Sequence, residues 1–287
     1  MKYTKNALMF SVLIFLTACQ ESTKQPCDSH FIQGNNYLML CEFYKAQQEF
    51  DKAILEDPNN ANAYYGKAAI FSIEGDNDKS IKYFDKAINL DKNFTLAYYA
   101  RSNAKKMIGM TAEALEDLKK VNELKPDFYF SIVQMGSLEA ELGNHVAAIE
   151  YITKAIKLQP KSYFAYFLRA NYKYSAGDTK GGMDDLNEVI MLKEDYVNAY
   201  FYRGSLYGER KEYQKAIKDF TKAIELKADY ASAYINRGMY QYHLNQIDKA
   251  CLDFNKAKEL GDAQAQAYID EHCKGKKAVS YFLQNKE

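Results

Sequence analysis

The sequence contains no tryptophan, only four prolines and no net charge, with 38 basic side chains balanced by 38 acidic ones over 287 residues. Each shortage excludes something. Balanced charge removes the basic stripe from which nucleic-acid binding draws its affinity, so no nucleic-acid partner is expected. With so few prolines, long stretches are free to be helical, because proline breaks a helix interior. No Gly-x-Ser-x-Gly elbow, phosphate-cradling glycine loop, Cys-x-x-Cys or His-Glu-x-x-His occurs, and the four histidines (His30, His145, His243, His272) are far apart along the chain. Hydrolase, nucleotide and metal signatures are therefore missing, and neither enzyme activity nor a cofactor or metal is expected.

What the chain does have is self-similarity. From Cys27 to Gln264 one 34-residue pattern runs seven times without insertion or deletion, as 27–60, 61–94, 95–128, 129–162, 163–196, 197–230 and 231–264. With each copy numbered 1 to 34, position 8 is always small (Gly34, Ala68, Ser102, Gly136, Ala170, Gly204, Gly238), and so is position 20 (Ala46, Ser80, Ala114, Ala148, Gly182, Ala216, Ala250). Position 24 is large and apolar throughout (Phe50, Phe84, Leu118, Ile152, Leu186, Phe220, Phe254), and position 27 is Ala or Val. Positions 20, 24 and 27 share one helical face, as do 4 and 8. Gly75, Gly109, Gly143 and Gly177 stand at position 15, where a first helix should end. Pro58, Pro126 and Pro160 stand at position 32, in the turn to the next copy.

These residues resemble the tetratricopeptide repeat. The sixth copy matches the family pattern best, through Tyr200, Gly204, Tyr207, Ala216, Phe220 and Ala223. The resemblance implies an all-α fold, a right-handed superhelical solenoid of seven helix-turn-helix repeats. It also implies protein binding in a concave groove lined by positions 2, 5, 9 and 12 of the first helices. Position 11, usually aromatic in the family, is Lys105, Glu139, Lys173 and Gln241 in four copies, a departure expected to weaken local packing.

One contact follows from the copies alone. Position 7 is Arg101, Arg169, Arg203 and Arg237 in the same four copies whose position 23 is Asp117, Asp185, Asp219 and Asp253. An Arg–Asp pair bracing the two helices of a repeat is expected; two independent surface charges are the alternative.

The ends differ from the array. Residues 1–18 have a basic start (Lys2, Lys5), an apolar run from Ala7 to Leu16 and the ending Leu16-Thr17-Ala18-Cys19. This resembles a bacterial lipoprotein signal peptide and implies lipidation of Cys19. Residues 19–26 become a tether, and the protein sits at the membrane of a bacterial cell envelope. Gln20 in place of Asp favours an outer membrane where the cell has one. An ordinary secretory signal is the alternative. Residues 265–287 are expected to hold a capping helix to about Cys273 and a tail, because the last copy otherwise leaves its apolar side wet.

Four further cysteines sit in an export context that permits disulfides. Cys251 and Cys273 fall on what should be antiparallel helices either side of a turn at Gly261, and a disulfide between them is expected. Cys27 and Cys41, at opposite ends of one helix, are about 21 Å apart and cannot pair. Cys41 is expected as a small apolar plug and Cys27 as a free or intermolecular thiol.

In the groove the resemblance implies, position 5 supplies Phe31, Tyr65, Tyr99, Phe167 and Phe201, position 9 supplies Asn103 and Asn171, and position 2 supplies Phe130 and Phe164. Aromatic rings give contact area at low entropy cost and Asn can bond a peptide backbone. The competing reading makes the position-5 rings core. No copy has Lys at position 5, which the family's chaperone-tail clamp requires, so acidic C-terminal tails are not the expected ligand. The expected function is a membrane-anchored scaffold or adaptor that holds a peptide or helix of an envelope protein. A self-assembling structural envelope protein, forming a homo-oligomer, and a glycan-binding module are the alternatives.

Overall fold

A computed structural model describes residues 29–273; the 1–18 signal, the tether with Cys19, Cys27 and the tail from 274 lie outside the described residues. The described chain is all-α, as expected. Its helices are α1 (Ser29–Met39), α2 (Phe43–Glu56), α3 (Ala61–Glu74), α4 (Asn77–Leu90), α5 (Thr95–Met107), α6 (Thr111–Leu124), α7 (Tyr129–Glu141) and α8 (His145–Leu158). They continue with α9 (Tyr163–Ser175), α10 (Thr179–Leu192), α11 (Val197–Glu209), α12 (Tyr213–Leu226), α13 (Ala231–His243), α14 (Ile247–Glu259) and α15 (Ala265–His272). Among the described residues these make seven helix pairs and a capping helix. The chain divides into two compact units, 1–158 and 159–287, where the sequence suggested one undivided array. The division falls at the end of copy 4. Among copies 2 to 6, only this copy lacks an aromatic ring at both position 5 (Val133) and position 34 (Ser162).

Each pair closes around the small residues. A Cβ added at Gly34 would stand 2.5 Å from Phe50 Cε1, and one at Gly238 would stand 2.6 Å from Phe254 Cε1. The ring at position 24 thus occupies the space that position 8 vacates, and Phe50, Phe84, Leu118, Ile152, Phe220 and Phe254 are almost fully buried. Position 3, which is Ala63, Ala97, Ser131, Ala165, Ala199 or Ala233, is completely buried in copies 2 to 7. Copy 1 has exposed Ser29 there, with exposed Gln33 at position 7 and exposed Asn36 at position 10. The first copy therefore presents a mostly polar leading face, with Ile32 exposed beside these residues.

Position 15 is left-handed in all seven copies: Gly75 (φ 83°), Gly109 (80°), Gly143 (84°) and Gly177 (86°), but also Cys41 (59°), Lys211 (59°) and Asn245 (57°). Cys41 is accordingly not the apolar plug expected of it. It is exposed, because a residue in this turn projects into solvent whatever its chemistry. Three side chains bear the steric cost that glycine avoids.

All four Arg–Asp pairs form, each with two hydrogen bonds. Arg101 Nε and Nη2 donate to Asp117 at 2.8 and 2.5 Å, and Arg169 to Asp185 at 2.9 and 2.7 Å. Arg203 donates to Asp219 at 2.7 and 2.8 Å, and Arg237 to Asp253 at 2.8 and 2.7 Å. The carboxylates are buried, and each guanidinium also lies over the position-4 tyrosine one turn earlier, Tyr98, Tyr166, Tyr200 or Tyr234. Arg101, Arg203 and Arg237 reach further, to position 25 of the preceding copy, at Asp85, Asn187 and Thr221. In copy 2, Lys67 makes the same step to Asp51 and lies 4.8 Å from the centroid of Tyr83, which replaces the aspartate. The position-11 lysines do not simply weaken packing. Lys105 and Lys173 add a second cation to the buried Asp117 and Asp185 at 2.8 and 2.9 Å. The hydrogen bonds to Asp185 and Asp253 raise the pKa of Arg169 and Arg237 against the opposing effect of burial.

The far end is closed covalently. Cys251 of α14 and Cys273, just past α15, are joined by a disulfide with Cα atoms 5.8 Å apart. By repeat register His272 falls on position 8 of an incipient eighth copy. Its ring packs 4.2 Å from Tyr242, where a continuing array would need a small side chain.

Two stability effects follow. Lys211→Gly relieves a left-handed lysine and should raise unfolding free energy by about 1 kcal/mol, read as a higher urea midpoint at unchanged slope. Asp219→Ala strands the Arg203 guanidinium beside a buried gap and should cost about 3 kcal/mol; a loss under about 1 kcal/mol would reduce the pair to an ornament of the surface.

Candidate binding surface

The position-5 rings are mostly core, and this corrects the groove reading for them. Phe31 and Tyr65 are each 1 % exposed and Phe167 9 %. Tyr99 and Phe201 are half-buried. The reason is a ring partner at position 34, the last residue of the same copy. Tyr65 packs on Phe94 at 5.0 Å, Tyr99 on Phe128 at 5.2 Å, Phe167 on Tyr196 at 5.2 Å and Phe201 on Tyr230 at 4.9 Å. Phe31, whose copy ends in Asn60, packs on Phe50 at 5.8 Å instead.

Position 34 also opens the next first helix, so it has two uses. In copies 1 and 4, Asn60 and Ser162 accept a hydrogen bond from the backbone N–H of Ala63 and Ala165 and cap α3 and α9. In copies 2, 3, 5 and 6 a ring stands there and covers position 5. The pairing was visible in the sequence: those four copies are the ones with aromatics at both positions.

Positions 2, 6, 9 and 12 supply the exposed part of the first-helix face in some copies only; Asn62, Leu96, Ala69 and Leu38 at these positions are buried. In the first unit Phe130 is 40 % exposed, set edge-on to Phe128 at 6.0 Å and Tyr129 at 5.5 Å. Beside it the exposed Asn103 accepts from Gln134 Nε2 at 2.7 Å. Burial raises the Tyr99 hydroxyl pKa, while a hydrogen bond with Asn103 pulls the other way. The phenol remains a neutral donor next to the amides.

The second unit offers a larger aromatic patch. Phe164 and Tyr174 are each 46 % exposed and Tyr202 is 43 % exposed. Tyr202 stands edge-on to Phe167 at 5.5 Å and Phe201 at 5.7 Å, so a rigid ring cluster supports it from beneath. The Tyr174 hydroxyl donates to Glu209 Oε1 at 2.5 Å, and that bond holds its pKa above the usual phenol value. Asn171 is half-buried on the same helix as Phe164.

Among the expected site residues, then, Asn103, Phe130 and Phe164 are on the surface, Asn171, Tyr99 and Phe201 sit at its margin, and Phe31, Tyr65 and Phe167 support it from below. Tyr202 and Gln134, both at position 6, were not expected. The signal was their spacing: position 6 follows position 2 by one helical turn and shares its face. Among the described residues no group of three or more His, Cys, Asp or Glu side chains could hold a metal ion, and no helix is long and apolar enough to cross a membrane.

Tetratricopeptide repeat models match residues 61–94, 131–162 and 197–230. Among solved structures, the chain is similar to the C-terminal part of a TPR repeat-containing protein from Cytophaga hutchinsonii, with TM-score 0.72, 16 % identity and coverage of 84 % of this chain and 98 % of that one. It is also similar to YrrB, described as a TPR protein with an unusual peptide-binding site, with TM-score 0.57, 22 % identity and 69 % and 97 % coverage. A crystal structure of MamA aligns with TM-score 0.54 and 26 % identity over 57 % of this chain and 96 % of that one. No curated protein matches.

The ring support has a measurable consequence. In a double-mutant cycle, Phe201→Leu and Tyr230→Leu should show a coupling of about 1 kcal/mol in unfolding free energy. Additive losses would mean that the stacked pair contributes only its separate burial.

Proposed function

Taking the chain as a tetratricopeptide-repeat protein, a scaffold for protein–protein interaction, we propose that it is a lipid-anchored adaptor of the bacterial cell envelope. It holds an apolar-anchored segment of an envelope protein on the exposed first-helix faces. The observation that carries the reading is the set of exposed rings in the second unit, Phe164, Tyr174 and Tyr202, of which Tyr202 is backed by the rings of Phe167 and Phe201. Aromatic anchors on a rigid support are where binding energy concentrates. In the first unit the neutral amides of Asn103 and Gln134 can pair with a peptide backbone without demanding charge. Partner charge is therefore not the selecting feature of this face; an apolar anchor is.

Anchoring is carried by the Leu16-Thr17-Ala18-Cys19 ending behind a basic and apolar run. Acyl chains on Cys19 would hold the protein where a single chain is marginal, because two or more add their membrane affinities. End-to-end self-assembly is the weaker reading. It would need an apolar leading face, and copy 1 shows Ser29, Gln33 and Asn36 there with Ile32 as the one large apolar residue among them.

Crosslinking in native envelopes tests both halves. The double variant Phe164→Ala with Tyr202→Ala should lose partner capture by about tenfold or more while keeping its helical circular dichroism. Capture at the wild-type level would end the groove reading. Cys19→Ala should release the protein from the membrane fraction, and retention there would end the lipid-anchor reading.

A further inference from the structure

The turns that join first to second helices in the first unit form a second apolar surface, away from the face at positions 2, 6 and 9. In copy 1, Leu40 is 68 % exposed and Tyr44 74 %. In copy 3, Met107 is 64 % exposed and Ile108 40 %; in copy 4, Leu142 is 46 % exposed and Val146 69 %. Apart from Met107 at position 13, all occupy position 14 or 18. The second unit has Ala176 and Lys180, Arg210 and Gln214, Leu244 and Asp248 at positions 14 and 18, and of these only Leu244 is large and apolar. Large apolar residues are thus exposed at these turn positions in three of the four copies of the first unit.

The turns of copies 3 and 4 are neighbours, since Lys106 Nζ meets Glu141 Oε1 across them at 2.7 Å. Copy 2 interrupts the apolar series with charge. Its positions 14 and 18 are Glu74 and Asp78, both exposed and without an ion pair among the described residues. The lysine beside them, Lys79, is taken by Asp76 at 2.7 Å. The edge therefore reads apolar, acidic, apolar, apolar.

We propose that this edge docks an amphipathic helix of a partner protein, one that carries lysine or arginine in the second of four heptads and large apolar residues in the other three. Adjacent helix pairs stand about 10 Å apart, which equals about seven residues of helix rise. Four turns then match about 22 residues of one helix face. Two free carboxylates fix the register through complementary charge. They also oppose an anionic lipid surface, which would repel them.

The test uses the full chain and two synthetic helices of about 24 residues with leucine in heptads one, three and four. One carries lysines in heptad two, the other glutamates. The lysine helix should bind more tightly by about tenfold or more, and Glu74→Lys with Asp78→Lys should invert that preference. Ile108→Ser with Val146→Ser should weaken the lysine helix by about tenfold, whereas Phe164→Ala with Tyr202→Ala should leave it unchanged. Loss of binding in this last variant would merge the edge with the groove and overturn the proposal. Equal affinity for both helices, a preference untouched by the charge swap, or binding to phosphatidylglycerol vesicles in place of either helix would overturn it as well.

Discussion

The close approach of the two helices in each repeat is the constraint on which the rest depends. It exists because position 8 has little or no side chain and position 24 has a large one, so that a Cβ at Gly34 or Gly238 would collide with the ring of Phe50 or Phe254. Once that contact is set, the arginine at position 7 lies opposite the aspartate at position 23 and can bond it with both edges of its guanidinium. The pair is buried enough that its value lies in fixing geometry more than in raw attraction. Its third nitrogen then reaches back to position 25, so the interaction that closes one repeat also sets its distance from the one before.

Position 34 shows how one site serves two demands. The residue there precedes a helix, and a capping side chain such as Asn60 or Ser162 satisfies the first free N–H groups. A ring there gives up the cap and covers the ring at position 5. Four copies take the second option, and the ring covers position 5 fully at Tyr65 and in part at Tyr99 and Phe201, while Phe31 is buried against Phe50 without one. Exposed rings stand instead at positions 2 and 6, as Phe130, Phe164 and Tyr202, with Phe130 set against Phe128 and Tyr202 against Phe167.

Much of this was legible in the sequence because the repeat supplies its own alignment. The helix pairs, the Arg–Asp contacts and the Cys251–Cys273 bridge could each be read from positions that covary between copies or from predicted helix direction. What was missed involved contacts within a copy between residues far apart in it. Tyr65 reads as surface from its helix position alone, and as core once Phe94 at the end of the same copy is placed against it. Lys105 reads as a broken aromatic position until its reach to Asp117 is seen, since a long side chain can satisfy a buried charge from a site usually filled by a ring. Cys41 was misread by chemistry where backbone conformation decided.

Exposed apolar surface is costly to keep, and the two units keep it in different places. In the second unit it lies on first helices at Phe164, Tyr174 and Tyr202 and on second helices at Met191, Leu192 and Leu252. In the first unit it gathers in the turns, around Leu40, Met107 and Val146, while the helix faces keep Phe130 beside paired amides. The repeat explains neither distribution, because the turn and face positions are free to vary once positions 3, 8, 20, 24 and 27 are set. Variation at such free positions costs the fold little, which is why the two units differ there and not at the positions that close each repeat.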